Sequence, residues 1–197
     1  MRHCRGSSLA ETLVAIAIVA IAAGVAVPAA DAMLRGARGE AGAREMAATF
    51  RAFRMRSVAM RKSRGLLFQR DDSGWSWLEV EDGNGNGIRT LEVRSGVDPT
   101  LSGPHRLEDR VEKVGPGFPG PGPFPEIPPG RGIIEDTTDP VKFGRSDLVS
   151  FSPWGSSSSG TLYVSDRREA LLAIVLYGPT ARVRVWRYDA GSRRWKS

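Results

Sequence analysis

The residue types that enzymes use for nucleophilic or acid–base chemistry are few in this 197-residue chain. The histidines are His3 and His105, and the single cysteine is Cys4. His105 stands alone in a Gly-Pro-His segment, where we expect it to be exposed to solvent. No serine lies in a Gly-x-Ser-x-Gly elbow, and no glycine run has P-loop spacing. The sequence therefore predicts no enzyme, no cofactor and no metal site of the Cys/His type.

One segment has the spacing of metal ligands. Asp82, Asn84 and Asn86, followed by a glycine, match the first half of a calcium-binding loop. The bidentate glutamate of such a loop should fall at position 93, which is Val93, and Glu92 is one place off. An Asn/Gly turn is the favoured interpretation, and calcium is kept as a minor alternative.

A basic strand near the C-terminus has the chemistry of a nucleic-acid contact. Arg182, Arg184, Trp186 and Tyr188 alternate, so they share one face of a predicted strand. Arginines can bind phosphates and aromatic rings can stack on bases. The alternative, a solvated strand face, is modestly favoured. The formal net charge of +6 adds little support, because charge alone does not identify a partner.

The elements that must position these residues begin with an apolar N-terminal run. The stretch Leu9–Ala30 is interrupted only by Glu11, Thr12 and Pro28, and as a helix it would be about 33 Å long, against roughly 30 Å of hydrocarbon. A cleaved secretory signal is the competing interpretation. Glu11 argues against it, because a carboxylate at the start of an apolar run is costly in lipid and implies a function.

The helical pattern continues beyond the apolar run. One face recurs at spacings of three and four: Ala43, Met46, Phe50, Phe53, Ser57 and Met60. We therefore predict a transmembrane helix over residues 7–30 and its amphipathic continuation over residues 31–64, as one helix from about Leu9 to about Arg64. Gly65 offers the stop signal.

The N-terminal residues resemble a known family signature. Gly6-Ser7-Ser8-Leu9-Ala10-Glu11-Thr12-Leu13-Val14 is similar to the prepilin signature of type IV pilins and type II secretion pseudopilins. The resemblance implies removal of a leader, residues 1–6, by prepilin peptidase between Gly6 and Ser7, and N-methylation of Ser7. It also implies that Glu11 pairs with the N-terminal amine of the neighbouring subunit. A lone carboxylate in lipid needs such a partner.

Residues 65–197 predict an antiparallel β domain, which makes the fold class α+β and pilin-like. Short apolar or alternating runs bounded by turn residues predict the strands: Leu66–Gln69, Trp75–Val80, Ile88–Val93, Leu148–Phe151, Thr161–Val164, Leu171–Tyr177 and Arg182–Tyr188. The fully apolar run Leu171–Tyr177 should be the most buried strand. The Pro/Gly-rich segment 115–132 is interpreted as a long surface loop.

The order of these downstream motifs resembles the GspH/FimT group of minor pseudopilins. They include the Trp-x-Trp strand, the Asp82–Gly87 turn, Phe151-Ser152-Pro153-Trp154-Gly155 and Thr180–Arg184. The resemblance implies a single-pass inner-membrane protein with a periplasmic domain, which acts near the tip of a type II secretion pseudopilus. Its partners would be other pseudopilins or pilins. The alternative is a minor type IV pilin in pilus biogenesis or DNA uptake, although Ala181 replaces the glycine of the Gly-Arg-x-Arg motif of DNA-uptake pilins.

Overall fold

The fold is α+β, as predicted, with one long N-terminal helix followed by antiparallel sheets. The computed structural model describes residues 9–197, apart from the side chains of residues 27, 28 and 32. Helix α1 runs from Leu9 to Met60 and is about 78 Å long at 1.5 Å per residue. A short helix α2 spans Thr90–Ser95, and a single 3-10 turn spans Gly178–Thr180.

Helix α1 ends four residues before the predicted end at Arg64. Arg61 adopts a left-handed conformation, with φ of 52°. Its N–H donates to the carbonyl of Val58, and the N–H of Lys62 donates to the carbonyl of Ser57. This pair of bonds is the Schellman arrangement that closes a helix, here without a glycine. Gly65 is part of the first strand, where a Cβ atom would lie 2.7 Å from the carbonyl oxygen of Val149.

The strands form two main sheets and a small hairpin. In chain order they are β1 (Arg64–Asp71), β2 (Gly74–Glu81), β3 (Thr100–His105), β4 (Gly115–Pro116), β5 (Phe124–Pro125), β6 (Ile133–Ile134), β7 (Val141–Lys142), β8 (Leu148–Phe151), β9 (Gly160–Ser165), β10 (Leu171–Tyr177), β11 (Arg182–Asp189) and β12 (Arg194–Lys196). The first sheet has the order β3-β2-β1-β8. The second has the order β12-β11-β10-β9-β4, with β7 also paired to β9, and β5 pairs with β6.

The predicted strand Ile88–Val93 is wrong, because its last four residues belong to helix α2. The buried carboxylate of Asp98 accepts hydrogen bonds from the N–H groups of Gly83 and Arg89. These bonds close residues 83–98 into a compact loop in which Ile88 and Val93 pack against the same apolar cluster. A strand in this segment would place those two side chains, five residues apart, on opposite faces.

The main core lies between the second half of α1 and the two sheets. Five of the six residues predicted for the buried helical face are at most 2% exposed, whereas Met60, at the helix end, is 59% exposed. The ring of Phe50 contacts the rings of Phe143 and Phe151, each 6.1 Å away between centroids. The helix is therefore an integral part of the domain core.

A second apolar layer covers the opposite face of the β9–β12 region. The Pro/Gly-rich segment contributes Phe118, and Phe124 and Ile127 pack beside it. The indole N–H of Trp195 donates to the carbonyl of Pro125 at 2.7 Å. Both faces of the sheet are covered. The central strand Leu171–Tyr177 is apolar throughout and mostly buried, as predicted.

Candidate functional site

The first half of α1 presents an apolar surface that the β domain leaves uncovered. Its most apolar 18-residue window has a mean hydropathy of 2.6, and none of that window is buried. Among the described residues, α1 is the one helix that is long and apolar enough to cross a membrane. Apolar side chains such as Leu13, Ile16 and Ile21 are 59–71% exposed. This surface is thus available to contact lipid or other apolar helices.

Glu11 lies in the first turn of α1, at the start of this apolar surface. The turn also holds Thr12, whose hydroxyl donates to the carbonyl of Leu9 at 2.8 Å. A carboxylate in the first turn interacts favourably with the positive end of the helix dipole. Gly6 and Ser7, the predicted cleavage and methylation positions, lie outside the described residues.

Arg182 and Arg184 are exposed on the outer face of β11, and neither pairs with a carboxylate among residues 9–197. They line a shallow cleft together with Tyr177, Pro179 and Thr180. The strand register places Tyr177 directly opposite Arg182. Tyr177 was not among the residues predicted for this face, because strand pairing and not sequence spacing brings it beside Arg182.

The two aromatic residues of the same strand face are engaged elsewhere. Trp186 and Tyr188 pack in the second apolar layer, and the Tyr188 ring meets that of Phe124 edge to face at 5.5 Å. Burial in this layer raises the pKa of the neighbouring Tyr163 phenol to about 12. Base stacking on Trp186 or Tyr188 would therefore require displacement of the Pro/Gly-rich cover.

The Asp82–Gly87 segment is a turn whose polar groups satisfy one another. The carboxylate of Asp82 accepts hydrogen bonds from the N–H groups of Asn84, Gly85 and Gly87. The side-chain amides of Asn84 and Asn86 each lie 3.1 Å from an oxygen of Glu92. No group of three or more His, Cys, Asp or Glu side chains suited to a metal ion occurs among the described residues. The Asn/Gly turn thus accounts for the arrangement.

His105 lies in strand β3 and is partly buried, whereas the sequence predicted a solvent-exposed residue. Its side chain is 32% exposed, and its ring lies against that of Trp77 at a tilt of 41°, with the ring centroids 5.8 Å apart. Its Nε2 atom lies 3.0 Å from the Ser102 hydroxyl and 3.7 Å from a carboxylate oxygen of Glu79. In a catalytic triad the acid and the nucleophile contact opposite ring nitrogens, so this arrangement differs from one.

Comparison with known proteins identifies the N-terminus. Residues 1–27 match the family model described as the prokaryotic N-terminal methylation motif. The chain therefore carries a type IV pilin-like signal directly before and within its apolar helix. No curated protein and no solved structure is significantly similar to the chain.

Proposed function

We propose that this chain is a minor pseudopilin of a type II secretion system, which acts near the tip of the pseudopilus. The observation that carries the proposal is the continuity of α1. The methylation motif of residues 1–27 runs directly into a helix with an exposed apolar first half, and the second half of that helix forms part of the domain core. The helix bundle of a filament would then be joined to the β domain through one continuous helix.

The mechanism is assembly, with no catalytic step. Prepilin peptidase of the inner membrane removes residues 1–6 after Gly6, and Ser7 becomes the methylated N-terminus. Apolar side chains of neighbouring helices then pack against each other in the filament. As the prepilin resemblance implies, Glu11 binds the N-terminal amine of the adjacent subunit and so sets the register of assembly. The β domain stays in the periplasm.

Intact mass of the membrane-extracted protein tests the processing step. In cells with the cognate prepilin peptidase we expect loss of residues 1–6 and addition of one methyl group. Gly6→Ala should leave the leader in place, whereas Glu11→Ala should be cleaved normally but fail to enter the filament. A chain cut near Ala22 would instead identify a secretory signal and would refute the proposal.

A second candidate function, DNA uptake by a minor pilin, rests on Arg182 and Arg184. Both are exposed and lack an acidic partner among the described residues. If they bind DNA, Arg182→Ala with Arg184→Ala should lower the affinity of the full chain and reduce its salt dependence by about two counter-ions. The matched control is the exposed pair Arg51→Ala with Arg94→Ala. If secretion falls while DNA affinity stays unchanged, the uptake function is excluded.

A further inference from the structure

We propose that the side of the β domain nearest the apolar helix segment binds one phospholipid headgroup that carries a primary amine, such as phosphoethanolamine. The inference extends the membrane-anchored function proposed above. The site is a cavity of about 70 Å³ between α1 and two loops of the domain. Its lining is Asp31, Arg35, Arg38, Lys113, Asp166 and Arg168. Since one water needs roughly 10–15 Å³, the space suits a polyatomic group.

The position of the cavity matches the level of lipid headgroups. Along α1, Asp31 and Arg35 lie about 1.5 and 7.5 Å beyond Ala30, the end of the predicted span, at 1.5 Å per residue. The headgroup layer on each side of a bilayer is roughly 5–8 Å thick. Basic residues are also disfavoured on the periplasmic flank of a span. Arg35 and Arg38 follow the span on that side, which suggests a specific role for them.

The cations of the cavity are suited to a phosphate group. Four basic side chains line it, against two carboxylates. Arg168 is exposed and pairs with no carboxylate in residues 9–197. Lys113 and Arg38 share the exposed carboxylate of Glu112, at 3.2 Å and a loose 3.9 Å. Guanidinium and ammonium groups bind phosphate oxygens through charge-assisted hydrogen bonds.

Two residues that line the cavity, Arg35 and Asp166, each carry a buried polar atom that has no partner within residues 9–197, and the two atoms are of opposite kinds. Arg35 pairs with Asp31 through its terminal nitrogen, but its Nε–H is buried without an acceptor. In Asp166, Oδ1 accepts three backbone N–H groups, whereas the buried Oδ2 accepts none. Buried polar atoms normally find partners. A ligand that satisfies both atoms must accept at one end and donate at the other.

This pair of requirements selects the headgroup class. Phosphoethanolamine offers a phosphate to Arg35 and the other cations, and an ammonium N–H to the Oδ2 atom of Asp166. Phosphocholine has the same charges but no N–H to donate, and phosphoglycerol has no amine. The three headgroups therefore separate binding by phosphate alone from binding that also uses Asp166.

The test is native mass spectrometry of the full chain, extracted in mild detergent with equal amounts of the three lipids on identical acyl chains. We expect phosphoethanolamine lipid to be retained about tenfold over phosphocholine lipid, the effect of one hydrogen bond to a charged group. Asp166→Asn keeps the Oδ1 acceptor and should abolish this preference. Arg168→Ala should lower retention of all three lipids, while the exposed control Arg51→Ala leaves it unchanged.

Equal retention of the phosphoethanolamine and phosphocholine lipids by the unmodified chain would overturn the inference, and this comparison needs no variant to fold. A phosphoethanolamine preference that persists in Asp166→Asn would overturn it as well. The proposed function fails separately, if the chain is recovered outside the membrane or retains residues 1–6. A processed, membrane-embedded chain without lipid preference would refute the headgroup site alone.

Discussion

Truncation of Phe50 to alanine should weaken the packing of the long helix against the domain core. Phe50 is fully buried, and its ring meets Phe143 edge to face at 89° and Phe151 at 51°. Replacement of a buried phenylalanine by alanine costs about 3–5 kcal/mol. Because two aromatic contacts are lost together, each worth about 0.5–1.5 kcal/mol, we expect about 4–5 kcal/mol. At about 2–4 °C per kcal/mol, the Tm should fall by about 8–20 °C.

The assay is thermal unfolding of the full chain in detergent, followed by tryptophan fluorescence. Met55→Ala is the matched control, since Met55 lies on the same helix and is 71% exposed. Alanine is the strongest helix former, so neither substitution weakens the helix itself. We expect Met55→Ala to change stability by no more than about 0.5 kcal/mol. If Phe50→Ala lost less than about 1 kcal/mol, the packing of α1 against the sheets would be refuted.

Three further outcomes are expected. Asp98→Ala should lower the free energy of unfolding by about 1–3 kcal/mol for each N–H left without an acceptor. Calcium should not change the Tm of the parent chain. A rise in Tm with calcium would contradict the interpretation of the Asp82–Gly87 segment as a turn. The pKa of the Asp136 carboxyl is held at about 2, mainly by a hydrogen bond from the Thr138 hydroxyl. The stabilising effect of the ionised carboxylate is therefore present at neutral pH and is lost as the pH falls from about 4 to about 2. Asp136→Asn should flatten the dependence of Tm on pH in this range, and an unchanged dependence would refute the assignment. The buried Tyr163 phenol has a pKa of about 12, so this side chain ionises at lower pH in the unfolded chain than in the folded one. The free energy of unfolding should therefore fall as the pH rises from about 10 to 12. Urea unfolding of Tyr163→Phe should lack this fall, and an equal fall in both chains would contradict the burial of Tyr163.

The cavity that we propose to bind a lipid headgroup could not be predicted from the sequence. Asp166 and Arg168 are far from Arg35 and Arg38 in the sequence, and the four residues come together only when the sheet packs on α1. One signal was available, the two arginines that follow the apolar run on the flank where the membrane orientation disfavours them. The same limit applied to Tyr177, which joins Arg182 through strand pairing.

Local sequence determined the long helix, its division into an apolar and an amphipathic half, and the central strand Leu171–Tyr177. These features depend on the periodicity of apolar side chains, which the order of residues contains directly. The motif of residues 1–27 is likewise local, and both the prepilin resemblance and the family match rest on it.

Tertiary structure decided the features that depend on distant contacts. The helix ends at Met60 because Arg61 turns left-handed, a conformation that nothing in its residue type announces. Residues 88–93 leave the strand conformation because Asp98 closes the loop around them. The Pro/Gly-rich segment has no periodic pattern, yet it is ordered as a layer on the sheet. Trp195 donates to Pro125 from 70 residues away, and only the folded chain can bring such residues together to offset the entropy of ordering that segment.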